Sequence, residues 1–195
     1  MRGIALMCAL AAVGALWLTG CATAPKTPQA KADLNTEVQA AIKVAKDTDP
    51  GLQKFFNTAA GYAVFPKVGK GAVGIGGAFG RGILFQGGQP VGYCSLTQAT
   101  VGAALGGQAY TEIVFLETPE AVERFKSGKL NFAAQVSAVA LKSGASANAK
   151  YANNVLVFTM AESGLMAEAS IGGQKFSFEP FAGAAQRTTS ATTGS

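Results

Sequence analysis

The residue types that most often carry out hydrolytic chemistry are poorly represented in this chain. Its 195 residues include no histidine, which is the usual general base of hydrolases and the commonest metal ligand. Glu117, Glu120 and Glu123 could supply paired carboxylates for acid/base chemistry. They surround a predicted helix start, however, where the helix dipole favours carboxylates. Cys94 has no histidine partner, so we expect a buried or half-buried, inert thiol. We therefore predict a non-enzymatic protein without a metal ion or cofactor.

A glycine-rich stretch at residues 59–85 contains a G-x-G-x-x-G pattern at residues 69–74. A dinucleotide site needs a helix that begins at this motif and an acidic residue about twenty positions further on. Residues 75–80 contain three more glycines, which disfavour a helix, and the acidic residue is absent. We exclude a dinucleotide site. Glycines recurring among Val, Ile and Phe instead predict β-strands that approach other backbone closely.

The same region carries only positive charge. Residues 50–111 contain no Asp or Glu, whereas Lys54, Lys67, Lys70 and Arg81 all fall within them. A positive, glycine-punctuated β region favours an anionic partner such as a phospholipid surface. We predict that Lys67, Lys70 and Arg81 contact anionic lipid head groups, and we expect no nucleic-acid partner. The alternative is that these cations only keep a glycine-rich sheet soluble.

The first residues have the pattern of an export signal. A positive start is followed by an apolar run at residues 3–18 that is too short and too rich in small residues for a stable membrane span. Residues 18–21, Leu-Thr-Gly-Cys, resemble the bacterial lipobox, in which the cysteine is acylated. We therefore expect lipidation at Cys21. Ala22 stands where an inner-membrane retention signal usually has Asp, so we expect the outer membrane, with the domain facing the periplasm or alternatively the cell surface.

The chain is predicted to contain one folded domain. We expect a signal peptide at residues 1–20, a tether at 21–32, the domain at 33–183 and a disordered tail at 184–195. Apolar residues make up 49% of the chain and charged residues 14%, which is typical of a well-buried core or of contact with lipid. Apolar residues recur at helical spacing from Asp33. Further helices are predicted to begin at Asp49 and at Thr118, the last of them ending at Gly128.

Between and after these helices the pattern favours strands. The candidates lie at residues 62–65, 72–79, 83–86, 91–97, 100–105 and 109–116. Residues 155–161 and 165–171 read as a hairpin, residues 175–178 as a further strand, and residues 131–141 as a strand although alanine also favours helix there. The predicted fold class is α+β, with antiparallel strands in a curved sheet or partly closed barrel flanked by a few helices.

Two ordered motifs in this region resemble those of a known family. The first runs from Ala60 to Pro66, Ala-Gly-Tyr-Ala-Val-Phe-Pro, and the second from Tyr93 to Ala99, Tyr-Cys-Ser-Leu-Thr-Gln-Ala, each followed by spaced glycines. Together they are similar to the SYLF domain family, in its bacterial lipid-binding or Ysc84-related branch. The resemblance covers residues 33–183. It implies a compact α+β domain without known catalysis, whose eukaryotic relatives bind phosphoinositide membranes and influence actin.

Two departures limit what this resemblance implies. The eukaryotic domains begin with an amphipathic membrane-binding helix, whereas an acylated cysteine and spacer are expected here. An exported protein does not meet actin, so actin is not an expected partner. We therefore predict a lipoprotein that binds anionic phospholipid or another envelope component. The alternatives are an integral envelope protein with a transmembrane glycine zipper within residues 91–107, and a carrier of a small apolar ligand in a pocket between the helices and the sheet.

Overall fold

A computed structural model describes residues 23–73, 75–101, 106–130, 138–161 and 173–182. These residues form an α+β domain, as predicted, with one seven-stranded sheet and three α-helices. The helices are α1 (Pro28–Thr48), α2 (Gln53–Thr58) and α3 (Pro119–Lys126). The strands are β1 (Gly61–Val73), β2 (Ile75–Gln86), β3 (Gln89–Val101), β4 (Gly106–Leu116), β5 (Val139–Ala140), β6 (Val155–Ala161) and β7 (Gln174–Pro180).

The sheet has the strand order β5-β6-β4-β1-β2-β3-β7, and only β5 and β6 are parallel. Three strands that are adjacent in this order, β1, β2 and β3, are longer than the sequence predicted. The predicted strand at 72–79 is wrong, because Val73 pairs with Ile75 across a hairpin that joins β1 to β2. Glycines lie inside these strands, as predicted, where they let neighbouring backbone approach closely. At Gly82, for example, an added Cβ would clash with the carbonyl oxygen of Val64 on β1.

Each face of the sheet is covered by different helices. We call the face that α1 and α2 cover the α1 face, and the face that α3 covers the α3 face. The core of the α1 face includes Leu34, Val38, Phe55, Phe56, Tyr62, Val64, Ile83, Phe115 and Phe158. The core of the α3 face includes Phe65, Val68, Leu84, Cys94, Leu96, Tyr110, Val114, Phe125 and Phe176.

The sheet curls around its α3 face. Nε2 of Gln174, on β7, donates a hydrogen bond of 2.9 Å to Oε2 of Glu112, on β4, and both side chains are buried. Three strands separate β4 from β7 in the strand order. With neighbouring strands about 4.8 Å apart, a flat sheet would hold β4 and β7 about 19 Å from each other, too far for two side chains to meet. The curved sheet predicted from the sequence is therefore confirmed.

Capping residues predicted both ends of α3 but not the start of α1. α3 begins after Thr118, whose hydroxyl accepts from the backbone N–H of Ala121, and the chain leaves it through Gly128 at a φ of 67°. α1 begins at Pro28, inside the run that we predicted as a tether, because Thr27 caps it and proline suits a first helical position. Ala24 and Pro25, just before it, are buried.

Several predicted segments lie outside the described residues. They are the signal at 1–20 with Cys21, the second strand of the predicted hairpin at 165–171, and the tail at 184–195. Of residues 131–141, only 138–141 are described, and they contain the short strand β5.

The transmembrane glycine zipper is contradicted. Residues 91–101 belong to β3, and residues 106 and 107 to β4, so the described residues of the predicted span are strand and not helix. In the described part of the chain, no helix is long and apolar enough to cross a membrane.

Candidate functional site

A groove of about 410 Å³ lies between the first turns of α1 and the outer half of the β1–β2 hairpin. Ala30, Asp33, Leu34 and Glu37 of α1 line one side. The rest of the lining comes from Pro25, Pro66, Lys67, Gly69, Phe79, Gly80 and Arg81. The groove thus holds two of the three cations that the sequence predicted as lipid contacts.

A bulge in β1 brings Lys67 into this groove. The register of β1 against β2 shifts between Val64 and Lys67, and its register against β4 shifts between Phe65 and Val68. The shift surrounds Pro66, which has no N–H for the ladder and whose carbonyl oxygen accepts a 2.8 Å hydrogen bond from the Thr111 hydroxyl. Phe65 and Val68 consequently both lie on the α3 face. Lys67 between them is exposed and lies on the α1 face, beside α1.

The three predicted cations do not form one surface. Lys67 is paired directly with Arg81 of β2 in the strand register, and both line the groove. Lys70 is paired with Ala78, which belongs to the core of the α3 face. Directly paired residues of neighbouring strands lie on the same face of a sheet, so Lys70 also lies on the α3 face. Lys67 and Arg81 therefore share the α1 face, and Lys70, three positions further along the same regular part of β1, lies on the other face. That these three residues contact lipid head groups stays a prediction.

The groove also contains negative charge that sequence reasoning missed. Asp33 and Glu37 lie four residues apart on α1 and line the groove across from Lys67 and Arg81. Residues 50–111 contain no Asp or Glu, but the packing of α1 on the sheet places two carboxylates beside them. The signal that could have found them is the i, i+4 spacing, which places two side chains on one helix face.

Tertiary contacts fix α1 over this part of the sheet. Nζ of Lys31 lies 5.4 Å from the ring centroid of Tyr93 on β3. At the start of the described chain, the hydroxyl oxygens of Thr23 and Ser95 are 3.5 Å apart. Ser95 is paired with Arg81 in the register, so Lys67, Arg81 and Ser95 form one row across β1, β2 and β3. The residues just before α1 therefore lie at the edge of the groove.

The α3 face holds a second polar group that the sequence did not reveal. Glu112 is fully buried, and its Oε1 has no hydrogen-bond partner. Burial raises the pKa of Glu112 to about 8, although the hydrogen bond from Gln174 opposes part of this rise. Burial and the neighbouring Glu112 also raise the pKa of Tyr110. Nothing in the alternation of β4 distinguished this glutamate from an exposed one.

The remaining candidates from the sequence have structural explanations. Cys94 is buried, as predicted, and burial raises the pKa of its thiol well above the ordinary value. Glu120 lies in the first turn of α3, where hydrogen bonds with its own backbone and with Thr118 lower its pKa. Glu123 pairs with Lys126 at 2.9 Å. Within the described ranges, no group of three or more acidic or cysteine side chains is arranged to hold a metal ion.

Comparison with known proteins finds a matching family model and a similar sequence. The family model described as Ysc84, Las17-binding protein actin regulator, matches residues 97–183. The chain is also 27% identical over 156 residues to Beta cell expansion factor A of Aeromonas veronii, an alignment that covers 78% of this chain and 59% of that protein. The groove residues lie before the segment that the family model matches. The predicted resemblance to the SYLF, or Ysc84-related, family is thereby confirmed, with the matched segment running from β3 through β7.

Proposed function

We propose that this chain is a non-catalytic lipoprotein of the cell envelope whose SYLF domain binds phospholipid. Family resemblance supports a lipid-binding type of domain. The observation that carries the finer proposal is the pairing of Lys67 with Arg81 on the α1 face, where Lys67 is exposed and both side chains line a groove. Two cations held side by side by a strand register can approach two lipid phosphates together.

The expected contribution of these cations is small. A cation near an anionic membrane surface is worth about 1 kcal/mol, so Lys67 and Arg81 together supply roughly 2 kcal/mol, or about thirtyfold enrichment. Binding of that strength does not retain a protein on a membrane. We therefore keep lipidation at Cys21 in the proposal, since acyl chains add about 0.8 kcal/mol for each buried methylene. The basic pair then orients a domain that the acyl chains hold.

The proposed location is the outer membrane, with the domain facing the periplasm or alternatively the cell surface. The lipobox-like residues 18–21 and Ala22 support it. The matched family is described as an actin regulator, but an exported protein does not meet actin, and we propose a membrane lipid as the partner.

A pocket between a helix and the sheet, which the alternative of an apolar-ligand carrier required, does exist. Its lining includes four charged side chains, Asp33, Glu37, Lys67 and Arg81. Charged groups lose solvation when an apolar ligand covers them. We therefore favour a polar head group over an apolar ligand as the occupant of this groove.

Vesicle flotation tests the proposed function. The chain from residue 21 onward, carrying Cys21→Ser so that it is not acylated, is mixed with vesicles of phosphatidylcholine or with vesicles rich in phosphatidylglycerol. Binding is expected to rise with anionic lipid. It should fall between low salt and 0.15 M salt, where exposed charges are screened over about 8 Å.

The matched variants are Lys67→Glu with Arg81→Glu, and as a control Lys129→Glu with Lys142→Glu, which changes the net charge equally at exposed positions outside the groove. The first pair should weaken binding to anionic vesicles about thirtyfold or more, and the control pair much less. Equal losses in both pairs would show that only the net charge matters. The absence of binding to every vesicle at low salt would overturn the proposed function.

A further inference from the structure

The end of the sheet at which β1 turns into β2 carries no charge. The strands β1, β2, β3 and β4 all reach this end, and their register runs to its last described residues, where Ala72 is paired with Gly106 and Ile75 with Val101. We call this region the sheet end and define it by its described residues, 71–73, 75–77, 99–101 and 106–107. It contains one hydroxyl side chain, Thr100, and otherwise only Gly, Ala, Val and Ile. This composition favours contact with an apolar partner.

The strands that form the sheet end are uncharged over most of their length. Residues 71–80 and residues 82–111 contain no Asp, Glu, Lys or Arg. Sheets that face water usually carry charged side chains at their exposed margins, because these charges prevent association with other molecules. Gly77 and Ala99, which are directly paired at the sheet end, are exposed. The sheet end is thus an exposed surface without the charges that usually keep such a surface in water.

The backbone at the sheet end is also suited to an apolar environment. Within lipid, each backbone N–H and C=O needs a partner from the protein, because no water is available. β1 and β2 are paired on both sides as far as Ala72 and Ile75. Three residues of a strand span about 10 Å, and interfacial segments enter the boundary between head groups and acyl chains by about 5 to 10 Å. The sheet end can therefore enter a membrane to this depth with the pairing of β1 and β2 intact.

Two exposed lysines lie on the α1 face at some distance from the sheet end. Lys67 is six residues before Val73 on β1, and Lys175 is paired with Thr97, four residues before the last residue of β3. Lys175 lies on the α1 face because Phe176, next to it, belongs to the core of the α3 face. Along the strands these lysines stand about 20 Å and about 13 Å from the sheet end. Cations above an apolar end complement a membrane, in which anionic phosphates lie above hydrocarbon.

The same charges favour a membrane over a second copy of this chain as the partner. Among the described residues of β1, β2, β3, β4 and β7, the one carboxylate on the α1 face is Glu179, which is four positions further from the sheet end than Lys175. Two copies that met through their sheet ends would bring lysines towards lysines. An anionic bilayer would instead pair the lysines with phosphates.

The expected acyl anchor lies on the same side of the domain. The hydroxyl oxygens of Thr23 and Ser95 are 3.5 Å apart, and Ser95 is paired with Arg81, which lies on the α1 face. Cys21 precedes Thr23 by two residues, which span at most about 7 Å. Ser95 is six residues, or about 20 Å, from the last residue of β3. Acyl chains on Cys21 and the sheet end would therefore reach the same leaflet when the sheet is tilted with its α1 face towards the membrane.

We propose that the sheet end inserts into the outer part of an anionic phospholipid bilayer, while Lys67 and Lys175 contact the phosphates above it. This inference rests on the proposed lipid-binding function and names the part of the domain that enters the membrane. Lysines alone would hold the domain at the surface through an attraction that salt screens. Insertion of apolar residues adds a contribution to binding that remains at physiological salt.

Tryptophan placed at the sheet end tests the insertion directly. The chain from residue 21 onward contains no tryptophan, because the single tryptophan of the full sequence precedes residue 21. In that chain, carrying Cys21→Ser, the variants Val73→Trp and Ala99→Trp each place one reporter at the sheet end, and Gln89→Trp places one at the opposite end of β3. With vesicles rich in phosphatidylglycerol, emission from positions 73 and 99 should shift to the blue and should be quenched by lipids with brominated acyl chains. Emission from position 89 should stay constant.

A matched pair of charge variants measures how much insertion contributes. Val73→Asp places a carboxylate at the sheet end, and Gln89→Asp makes the same change in net charge about 40 Å away, well beyond the screening length of about 8 Å at 0.15 M salt. At that salt, Val73→Asp should weaken vesicle binding about tenfold, because a carboxylate is costly below the head groups. Gln89→Asp should change binding by less than about twofold. Val73→Asn, which adds no charge, should also weaken binding, by about threefold.

Each variant is first checked for folding by its thermal midpoint without vesicles, and Ala99→Trp, at an exposed position, keeps the test available if the variants at Val73 do not fold. Constant emission from the sheet end in a chain that floats with vesicles would overturn the inference and leave the proposed function in place. Equal losses for Val73→Asp and Gln89→Asp would also overturn it. Blue-shifted emission without vesicles, in a chain that sediments as a dimer, would assign the sheet end to a second copy instead. The absence of binding to every vesicle at low salt would overturn both proposals.

Discussion

The two faces of the sheet treat charge in opposite ways. On the α1 face, Lys67 is exposed and shares a groove with Arg81, Asp33 and Glu37. On the α3 face, one carboxylate, Glu112, is fully buried and is held by Gln174 across the curved sheet. Charges that stay in water cost the fold little and can meet a ligand, whereas a buried charge is neutralised or destabilises the fold. We therefore propose ligand binding for the α1 face and a structural role for the α3 face.

The largest effect is expected from removing the anchor that would hold the α1 face to the membrane. Cys21→Ala should move nearly all of the protein from the outer-membrane fraction to the soluble fraction, since two cations alone retain it only weakly. Mass spectrometry and membrane fractionation check this outcome. The Lys67→Glu variant, with Cys21 intact, is the control and should remain in the membrane. A Cys21→Ala protein of unchanged mass that stays in the membrane would contradict the lipidation.

The next largest effect is a pH-dependent change in the free energy of unfolding, which comes from Glu112 on the α3 face. The pKa of Glu112 is raised to about 8 in the folded chain, from 4.5. The folded state therefore keeps a proton that the unfolded state loses, so the stability that Glu112 contributes is fully present below pH 4.5 and is lost as the pH rises to about 8. The loss is expected to be on the order of 4 kcal/mol. Denaturant midpoints measured between pH 4.5 and 8.5 report it.

The same substitution on each face sharpens this test. Glu112→Gln, whose amide oxygen can still accept the hydrogen bond from Gln174 but which does not titrate, should remove most of the decline in stability with pH. Glu37→Gln, on the exposed side of α1, should leave the decline in place and should affect only ligand binding. A Glu112→Gln protein that still loses several kcal/mol over this pH range would show that another group on the α3 face titrates.

A smaller loss of stability is expected when the residues before Asp33 are removed. A chain beginning at Asp33 lacks the Thr27 cap, the contact of Lys31 with Tyr93, and the burial of Ala24. A cap contributes about 1 kcal/mol and a partly exposed cation–π contact about 0.5 to 1 kcal/mol, so the total is roughly 2 kcal/mol. Urea unfolding of chains beginning at Ala22 and at Asp33 measures the difference. Equal midpoints would mean that this segment is only a tether.

The smallest effect separates two lysines that are three positions apart in the sequence. Lys67→Glu should weaken binding to vesicles rich in phosphatidylglycerol by about 1 kcal/mol or slightly more, because Lys67 lies on the α1 face. Lys70→Glu makes the same change on the α3 face and should alter binding by less than about twofold. Vesicle flotation at low salt compares them. Equal losses would show that the face on which a cation lies does not matter.

The sequence was informative wherever a signal is local. The cap at Thr118, the turn at Gly128 and the apolar runs of β4 and β6 are properties of a few neighbouring residues, and the structure has them where we predicted. The face of Lys67 was not predictable in this way, because the bulge around Pro66 shifts the alternation and bulges depend on pairing with two other strands.

The site depended on contacts between distant segments. Asp33 and Glu37 share a groove with Lys67 only because α1 packs back over the first hairpin, thirty or more positions along the chain. Glu112 could not be recognised as buried, since its burial follows from the curl that brings β7 to β4. The sequence correctly indicated a basic region at residues 50–111. It did not show that acidic side chains from α1 lie beside that region in the fold.

Fluorophore placement tests the central claim that the α1 face meets the membrane. In the chain from residue 21 onward with Cys21→Ser, the remaining Cys94 is buried, and burial raises the pKa of its thiol, so added cysteines can be labelled selectively. Ala30→Cys places an environment-sensitive label in the groove, and Lys129→Cys places it beside α3. With vesicles containing phosphatidylglycerol and phosphatidylethanolamine, emission from position 30 should shift to the blue while emission from position 129 stays constant. A shift at position 129 alone, or flotation without a shift at position 30, would contradict the account.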